Sequence, residues 1–150
     1  MSDADGAPGR LELSAPADPS ILDLVHALLE HLWSDHPDVS DGDRMRFEMA
    51  VIEVLANIVE HAYRLDHDDE AAGERRRFDV TLAATDDELV ARFADNGLPM
   101  ELDLSDVVMP DEMAESGRGL ALAASALDDL AYDRVEGRNH WRLQCVRRPG

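Results

Sequence analysis

The amino-acid sequence predicts an α/β (α+β) two-layer sandwich in which helices cover one face of a mixed, mostly antiparallel sheet. The 150 residues are enough for one domain. Two long segments repeat apolar residues at helical spacing, and two pairs of short alternating segments are joined by tight polar turns, as in hairpins. Residues 1–9 are small and acidic and are expected to be a flexible end, so residues 10–150 are predicted to form the single domain.

The first part of the chain predicts one strand and two helices. A short strand is expected around Arg10 to Ala15. An amphipathic helix follows over residues 19–34 and ends at His36-Pro37, because a residue before proline avoids helical backbone angles. A second helix, from about Asp43 to Arg64, carries one continuous apolar stripe and is the longest periodic segment.

The middle of the chain predicts a hairpin between two loops. Residues 65–77 are very polar and are expected to form a surface loop. Two alternating strands follow over residues 78–82 and 89–93, joined through Asp86-Asp87. Residues 97–117 contain two prolines and two glycines without a steady period, and they predict a long loop with at most a short helical turn.

The last part of the chain predicts a helix and a closing hairpin. Small residues over 119–128 predict a helix that can approach the sheet closely. Residues 130–135 and 140–147 predict two strands on either side of a Glu136-Gly137 turn. The single cysteine, Cys145, alternates with apolar residues in the second strand and is expected to be a core thiol rather than a nucleophile.

The charge balance excludes several classes of function. The formal net charge is −19, and all 14 cationic side chains are arginines. A chain without lysine cannot use a P-loop, the β3 lysine of protein kinases or Schiff-base catalysis. Its acidity argues against direct binding of nucleic acid or of an anionic membrane. The chain shows no signal-peptide pattern and no apolar run long enough for a bilayer, so a cytoplasmic protein is expected.

A polar line in the second helix is the first candidate site. Glu53, Asn57 and His61 are four residues apart, so each is offset by only about 40° from the last around the helix axis. The line is either an exposed helix face or part of a magnesium site, since one Asn57 carbonyl together with phosphate oxygens suits this cation. In the second interpretation, Glu53 would position a water or a hydroxyl near the same phosphates.

The second candidate site, Asp95-Asn96-Gly97, comes directly after a predicted strand. These residues are typical of a tight turn. They also suit a nucleotide base, because the Asp95 carboxylate can accept a hydrogen bond from an exocyclic amine while Gly97 lets the backbone approach the ring.

The third candidate site, Gly117-Arg118-Gly119-Leu120, lies where the long loop enters a helix. It is either a flexible helix entry or a phosphate site, because backbone amides at the positive end of a helix bind anions. In the second interpretation, Arg118 adds a cation in a chain that has few of them.

The order of these three motifs resembles the histidine-kinase-like (GHKL-type) ATP-binding domain shared by gyrase, Hsp90, sensor histidine kinases and MutL. Within that group, the chain most resembles the anti-sigma-factor serine kinases of the RsbW and SpoIIAB type, from Leu11 to Arg147. The resemblance implies a Bergerat-type ATP-binding fold with ATP and Mg²⁺ as cofactors.

The resemblance also implies a role for each candidate residue. Glu53 matches the general base that activates the acceptor hydroxyl, Asn57 matches the magnesium ligand, and Asp95 matches the carboxylate that reads adenine. Gly117 and Gly119 match glycines that flank a lid over ATP. The ATP-binding residues implied in this way are Asn57, His61, Asp95, Gly97, Gly117, Arg118, Gly119 and Leu120.

By the same resemblance, the protein is expected to be an ATP-binding anti-sigma factor with serine/threonine kinase activity. It would phosphorylate an anti-anti-sigma (STAS-type) antagonist, sequester a sigma factor and form a homodimer. The alternative is a noncatalytic ATP-dependent protein-binding switch of the same fold. Two positions depart from the family's pattern, because Glu115 stands where a basic residue is common near the γ-phosphate and Asn139-His140 stand where many relatives have a threonine.

Overall fold

A computed structural model describes residues 10–16, 20–65, 77–96 and 115–148. In chain order the helices and strands are β1 (Arg10–Pro16), α1 (Ile21–Asp35), α2 (Asp41–Leu65), β2 (Arg77–Ala84), β3 (Glu88–Asp95), α3 (Glu115–Ala126), β4 (Asp129–Val135) and β5 (Arg138–Val146). The predictions for residues 1–9 and for most of the loops 65–77 and 97–117, including Gly97, lie outside the described residues.

The strands form one sheet in the order β1-β2-β3-β5-β4, and each neighbouring pair is antiparallel. The predicted two-layer sandwich is confirmed, and the described strands contain no parallel pair. Burial alternates along β2, β3 and β5, because successive side chains of a strand point to opposite faces. The register aligns Val80, Phe93 and Trp141 across these three strands, and all three side chains are buried in the core.

The helices cover the apolar face of the sheet. In α1, Val25, Leu29 and Leu32 recur at helical spacing and are fully buried. The buried apolar residues of α2 are Phe47, Ala50, Val51, Val54, Leu55, Ile58 and Val59. The other face of the sheet is polar and open, as is common in antiparallel sheets. Among the helices that the structure describes, none has the length and apolar character needed to cross a bilayer.

The closing hairpin turns at Glu136 and Gly137, as predicted. Their φ angles are +50° and +79°, the positive values that a two-residue type I′ turn requires at both positions. Such a turn lets strand pairing begin at once, so β5 begins at Arg138 and not at residue 140. Asn139 therefore lies inside the strand, opposite Asp95 of β3.

The start of α3 differs from the prediction. The helix begins at Glu115 and contains both Gly117 and Gly119 near its start, whereas the sequence predicts a loop up to residue 117 and a helix from residue 119. A glycine inside a helix costs about 1 kcal/mol relative to alanine, and the packing of α3 along α2 offsets that cost. An acidic residue such as Glu115 also favours a helix start, because it complements the positive end of the helix dipole.

A cluster of hydrogen bonds joins the start of α2 to the ends of α3 and β5. Arg46 donates to the carbonyl oxygens of Ala126 and Val146, both at 3.0 Å. It also donates to Oδ1 of the buried Asp43 at 2.8 Å. Oδ2 of Asp43 accepts from the backbone N–H of Arg148 at 2.8 Å. We call these five residues the corner cluster.

Cys145 is buried beside the corner cluster, as predicted for a core thiol. Its Sγ lies 3.8 Å from the carbonyl oxygen of Ala126, to which it donates a weak hydrogen bond. Burial raises the pKa of this thiol to about 11, although the nearby Arg46 opposes the shift. The thiol is therefore protonated at neutral pH and is not an activated nucleophile.

Candidate functional site

Asp95 ends β3 on the helix-covered face of the sheet. The alternation that buries Ala91 and Phe93 also buries Asp95, which is 6% exposed. A carboxylate in the interior is costly unless it is hydrogen-bonded. Asn96 follows the strand, and its Oδ1 accepts from the backbone N–H of Arg77, at the start of the neighbouring strand β2, at 2.9 Å. Asp95 therefore belongs to the strand, and Gly97, the last residue of the motif, lies outside the described residues.

Asn139 of β5 contacts the Asp95 carboxylate directly. It is 2% exposed, and its Nδ2 donates to Oδ1 of Asp95 at 2.9 Å. Its own Oδ1 accepts from the hydroxyl of Tyr132 and from Nη1 of Arg134, the latter at 3.0 Å. The sequence marks Asn139 only as a departure from a family pattern. The signal that could have found it is its phase, since it is polar at a strand position in step with the buried Trp141.

Asn57 lies on the inner side of α2. It is 8% exposed, and Glu53, one turn earlier, is half-buried. An exposed helix face would leave both side chains in solvent, so that interpretation of the polar line is wrong for Asn57. The side chain of His61, the third member of the line, lies outside the described residues.

The helices α2 and α3 run antiparallel. α3 packs along α2, and the last residue of α3, Ala126, meets Arg46 near the start of α2. A parallel α3 would extend beyond the start of α2 and could not pack along it. The N-terminal end of α3 therefore lies beside the second half of α2.

Helix geometry gives the approximate level of this contact. Both helices have the same rise per residue. Glu115 precedes Ala126 by as many residues as Asn57 follows Arg46. Since Ala126 and Arg46 are in contact, Glu115 is about level with Asn57. Gly117, in the first turn of α3, is therefore level with the turn of α2 that precedes Asn57. The side chains of Arg118 and Leu120 lie outside the described residues.

Asp95 and Asn139 lie toward the same end of the molecule as Asn57. Val146, at the end of β5, and the start of α2 meet at the corner cluster, and α2 packs over β5 and β3. From Val146 back to Asn139 the strand spans about 23 Å at roughly 3.3 Å per residue. From Arg46 to Asn57 the helix spans about 16 Å in the same direction. The structure therefore brings the predicted site residues Asp95 and Asn57, together with Asn139, toward one end of the sandwich.

A shallow cavity of about 520 Å³ lies elsewhere, on the open face of the sheet. The side chains around it include Asp79, Thr81, Arg92, Ala94, His140 and Arg142. The sheet separates this cavity from Asn57 and α3, so it is not part of the candidate site.

The candidate site offers three kinds of chemical group. A buried carboxylate can accept from the N–H of a ligand, a buried amide carbonyl can bind a hard cation, and the first N–H groups of a helix attract anions. In the part of the chain that the structure describes, no three His, Cys, Asp or Glu side chains cluster in a way that could hold a metal. A hard cation at Asn57 could complete its coordination with waters and with oxygens of a bound molecule.

A comparison with protein-family models identifies the family. Residues 15–145 match the histidine kinase-like ATPase domain. The chain belongs to this family. The match includes all the predicted site residues, from Glu53 to Leu120. A search of curated proteins found no match.

Two solved structures are similar to this histidine kinase-like ATPase domain. The RsbU and RsbW domains of Rv1364c from Mycobacterium tuberculosis match with a TM-score of 0.60 and 19% identity, over 94% of this chain and 33% of that one. This chain thus spans about a third of the length of that protein. SiaB in the SiaB-SiaC complex from Pseudomonas aeruginosa matches with a TM-score of 0.60 and 20% identity, over 96% and 94% of the two chains. At these identities, the similarity shows the shared fold.

Proposed function

We propose that this histidine kinase-like ATPase domain is an anti-sigma factor with serine/threonine kinase activity that uses ATP and Mg²⁺. In this proposal it phosphorylates an anti-anti-sigma protein of the STAS type and sequesters a sigma factor. The observation that carries the proposal is the buried Asp95–Asn139 pair, which lies toward the same end of the molecule as Asn57 and the start of α3.

Asp95 is the proposed base-recognition residue. An ionised carboxylate only accepts hydrogen bonds, and the exocyclic amine of adenine is a donor. A hydrogen bond to a charged acceptor is stronger than one between neutral groups. Asp95 would therefore favour adenine over a base that presents a carbonyl oxygen at the same position. Gly97 is proposed to let the ring approach the backbone.

The start of α3 is the proposed phosphate-binding segment. The first four N–H groups of an α-helix have no partner within the helix, and the helix dipole adds positive potential there. Gly117 and Gly119 lie near this end and have no side chain to obstruct a phosphate. Arg118 and Leu120 are proposed to complete the segment. Backbone amides suit a chain with a net charge of −19.

Asn57 is the proposed ligand of Mg²⁺. Its buried amide oxygen suits a cation that prefers oxygen ligands and keeps several of its waters. When bound, Mg²⁺ would neutralise part of the charge on the phosphates. His61, one turn later on α2, is proposed to contribute to the same ATP site.

Glu53 is the proposed general base. It lies one turn before Asn57 and is half-buried, so it is accessible to an acceptor hydroxyl. The Glu53 carboxylate would take the proton of that hydroxyl. At the same time the hydroxyl oxygen would bond to the γ-phosphorus, and the bond between this phosphorus and the leaving ADP would break. Beyond this proton transfer, the chain contributes mainly positioning.

The proposed partners are proteins. SiaB was solved in complex with SiaC, which supports a protein partner for the present chain. We assign that role to a STAS-type antagonist and to a sigma factor, and we propose a homodimer as the functional unit. The proposal includes a cytoplasmic location and no direct contact with nucleic acid.

Glu115 favours a second candidate function, a noncatalytic ATP-dependent binding switch. This residue begins α3, at the helix end proposed to face the phosphates. A negative charge there would oppose the charge of the γ-phosphate. A switch of this kind would bind ATP, transfer phosphate poorly and change its affinity for a protein partner with nucleotide occupancy.

Transfer of labelled phosphate decides between the two functions. The domain is incubated with γ-labelled ATP, Mg²⁺ and a candidate STAS-type antagonist, and the kinase proposal expects label on a serine or threonine. Glu53→Gln should retain ATP binding and lose transfer by about 100-fold or more. Glu12→Gln, at an exposed position on β1, is the matched control. ATP binding without labelling, together with nucleotide-dependent affinity for the antagonist, would establish the switch.

A further inference from the structure

We propose that Asn139 is a positioning residue that orients the Asp95 carboxylate for base discrimination. The proposal rests on the proposed ATP site. It adds a residue to which no function is assigned, together with the two side chains that hold it in place. The observation behind it is the chain of hydrogen bonds from Arg134 and Tyr132 through Asn139 to Asp95.

Asn139 is buried beside the carboxylate, on the adjacent strand. It is 2% exposed and Asp95 is 6% exposed, and the two are direct partners in the register of β3 and β5. The Nδ2 of Asn139 donates to Oδ1 of Asp95 at 2.9 Å. Because a carboxylate is planar, fixing the direction of Oδ1 also limits the directions that Oδ2 can take.

The amide of Asn139 has one favourable orientation. Its Oδ1 accepts from the Tyr132 hydroxyl and from Nη1 of Arg134. Flipping the amide would turn its NH₂ group toward a guanidinium, which has no acceptor, and its oxygen toward the carboxylate of Asp95. Arg134 therefore fixes which end of the amide faces Asp95.

A fixed carboxylate discriminates better than a rotating one. The exocyclic amine of adenine can donate to the Asp95 carboxylate, whereas the carbonyl oxygen of hypoxanthine at the same position would face it as a second acceptor. A carboxylate that cannot turn away leaves that repulsion unrelieved, and sites of this kind reject the wrong ligand strongly. Without Asn139, the carboxylate could rotate or take up water, and the rejection would weaken.

The test is the ratio of the dissociation constants of ITP and ATP, measured by calorimetry with Mg²⁺. We expect the wild type to prefer ATP by about 100-fold or more. Asn139→Ala should reduce this ratio by about 10-fold or more, and Arg134→Ala should reduce it by a smaller factor. Arg138→Ala is the matched control, since Arg138 lies on the same hairpin but pairs with Asp79 on the open face, at 2.7 Å.

The ratio separates a positioning role from a merely structural one. Loss of fold would weaken both nucleotides alike, and Arg134→Ala changes an exposed residue, so it keeps the test available if Asn139→Ala does not fold. An unchanged ratio in both variants would overturn the role of Asn139 while the ATP site stands. Absence of ATP binding in the wild type would overturn the proposed function and this inference together.

Discussion

Asp43 keeps its charge in the interior because donors surround it. Burial by itself would raise the pKa of this carboxyl, but hydrogen bonds from Arg46, from the backbone of Arg148 and from Ser40 hold it below its ordinary value of 3.8. The hydrogen bond to Asp43 in turn raises the pKa of Arg46. One buried side chain thus ties the start of α2 to the residues that follow β5.

Removing this carboxylate should destabilise the protein markedly. Asp43→Ala removes the carboxylate acceptor of Arg46 and the acceptor of the Arg148 N–H. We expect a loss of about 2–3 kcal/mol of unfolding free energy. Urea denaturation at neutral pH measures it. Asp41→Ala, at an exposed position in the same helical turn, should change stability by less than about 0.5 kcal/mol. Equal effects of the two substitutions would contradict the role of the corner cluster.

The carboxylates of Asp43 and Asp128 should make the stability of the protein depend on pH in the acid range. Asp128 also has a lowered pKa, chiefly because it accepts from the backbone N–H of Val146 at 2.6 Å. A carboxyl whose pKa is lower in the folded than in the unfolded protein stabilises the fold at pH values above its unfolded pKa. This stabilisation is lost as the pH falls through the folded pKa. The urea concentration at the unfolding midpoint should therefore decrease when the pH falls below about 4. The decrease should be less steep in Asp43→Asn. A drop centred near the pKa of histidine would contradict this assignment.

At the scale of helices and strands, two glycines should respond to alanine with opposite signs. Gly137 has a φ of +79°, so Gly137→Ala is expected to cost about 1–2 kcal/mol. Gly42 lies in α2 with no atom near an added methyl, so Gly42→Ala should stabilise the protein by up to about 1 kcal/mol. Thermal denaturation of the two variants and the wild type measures the sign of each change in stability. Stabilisation by Gly137→Ala would contradict the type I′ turn.

Local periodicity predicts helices and strands well where burial is one-sided. The stripes of α1 and α2 and the alternation of β2 and β3 place these segments within a few residues of their observed bounds. The start of α3 was not predictable in the same way, because packing against α2 overrides the local signal of Gly117 and Gly119. Local signals are therefore weakest where a segment's conformation depends on a distant partner.

The candidate site also combines residues that local sequence signals predict with a contact that depends on a distant partner. Asp95 and Asn57 carry motif signals in their own neighbourhoods. The contact between Asp95 and Asn139 joins positions 44 residues apart, so it depends on the register of β3 and β5. The turn at Glu136 and Gly137 begins β5 two residues earlier than its apolar pattern shows, and this places Asn139 inside the strand. A polar residue in phase with a buried strand face is the sequence signal that remains.

At the scale of the whole molecule, the net charge of −19 limits how ATP can be bound. Protein and nucleotide repel at long range, so affinity must come from positive field close to the phosphates. The proposal places that field at the start of α3 and at a cation on Asn57. It places base recognition at Asp95, at the same end of the sandwich.

Calorimetric titration of ATP with Mg²⁺ into the wild type and Asp95→Asn tests this proposal most directly. Asparagine keeps the shape of the side chain but puts a donor where the adenine amine needs an acceptor, so we expect the affinity to fall by about 10–100-fold. Thermal denaturation of both proteins checks that the variant is folded. Equal ATP affinity in the two proteins would contradict the assignment of Asp95, and no binding by the wild type would contradict the ATP site itself.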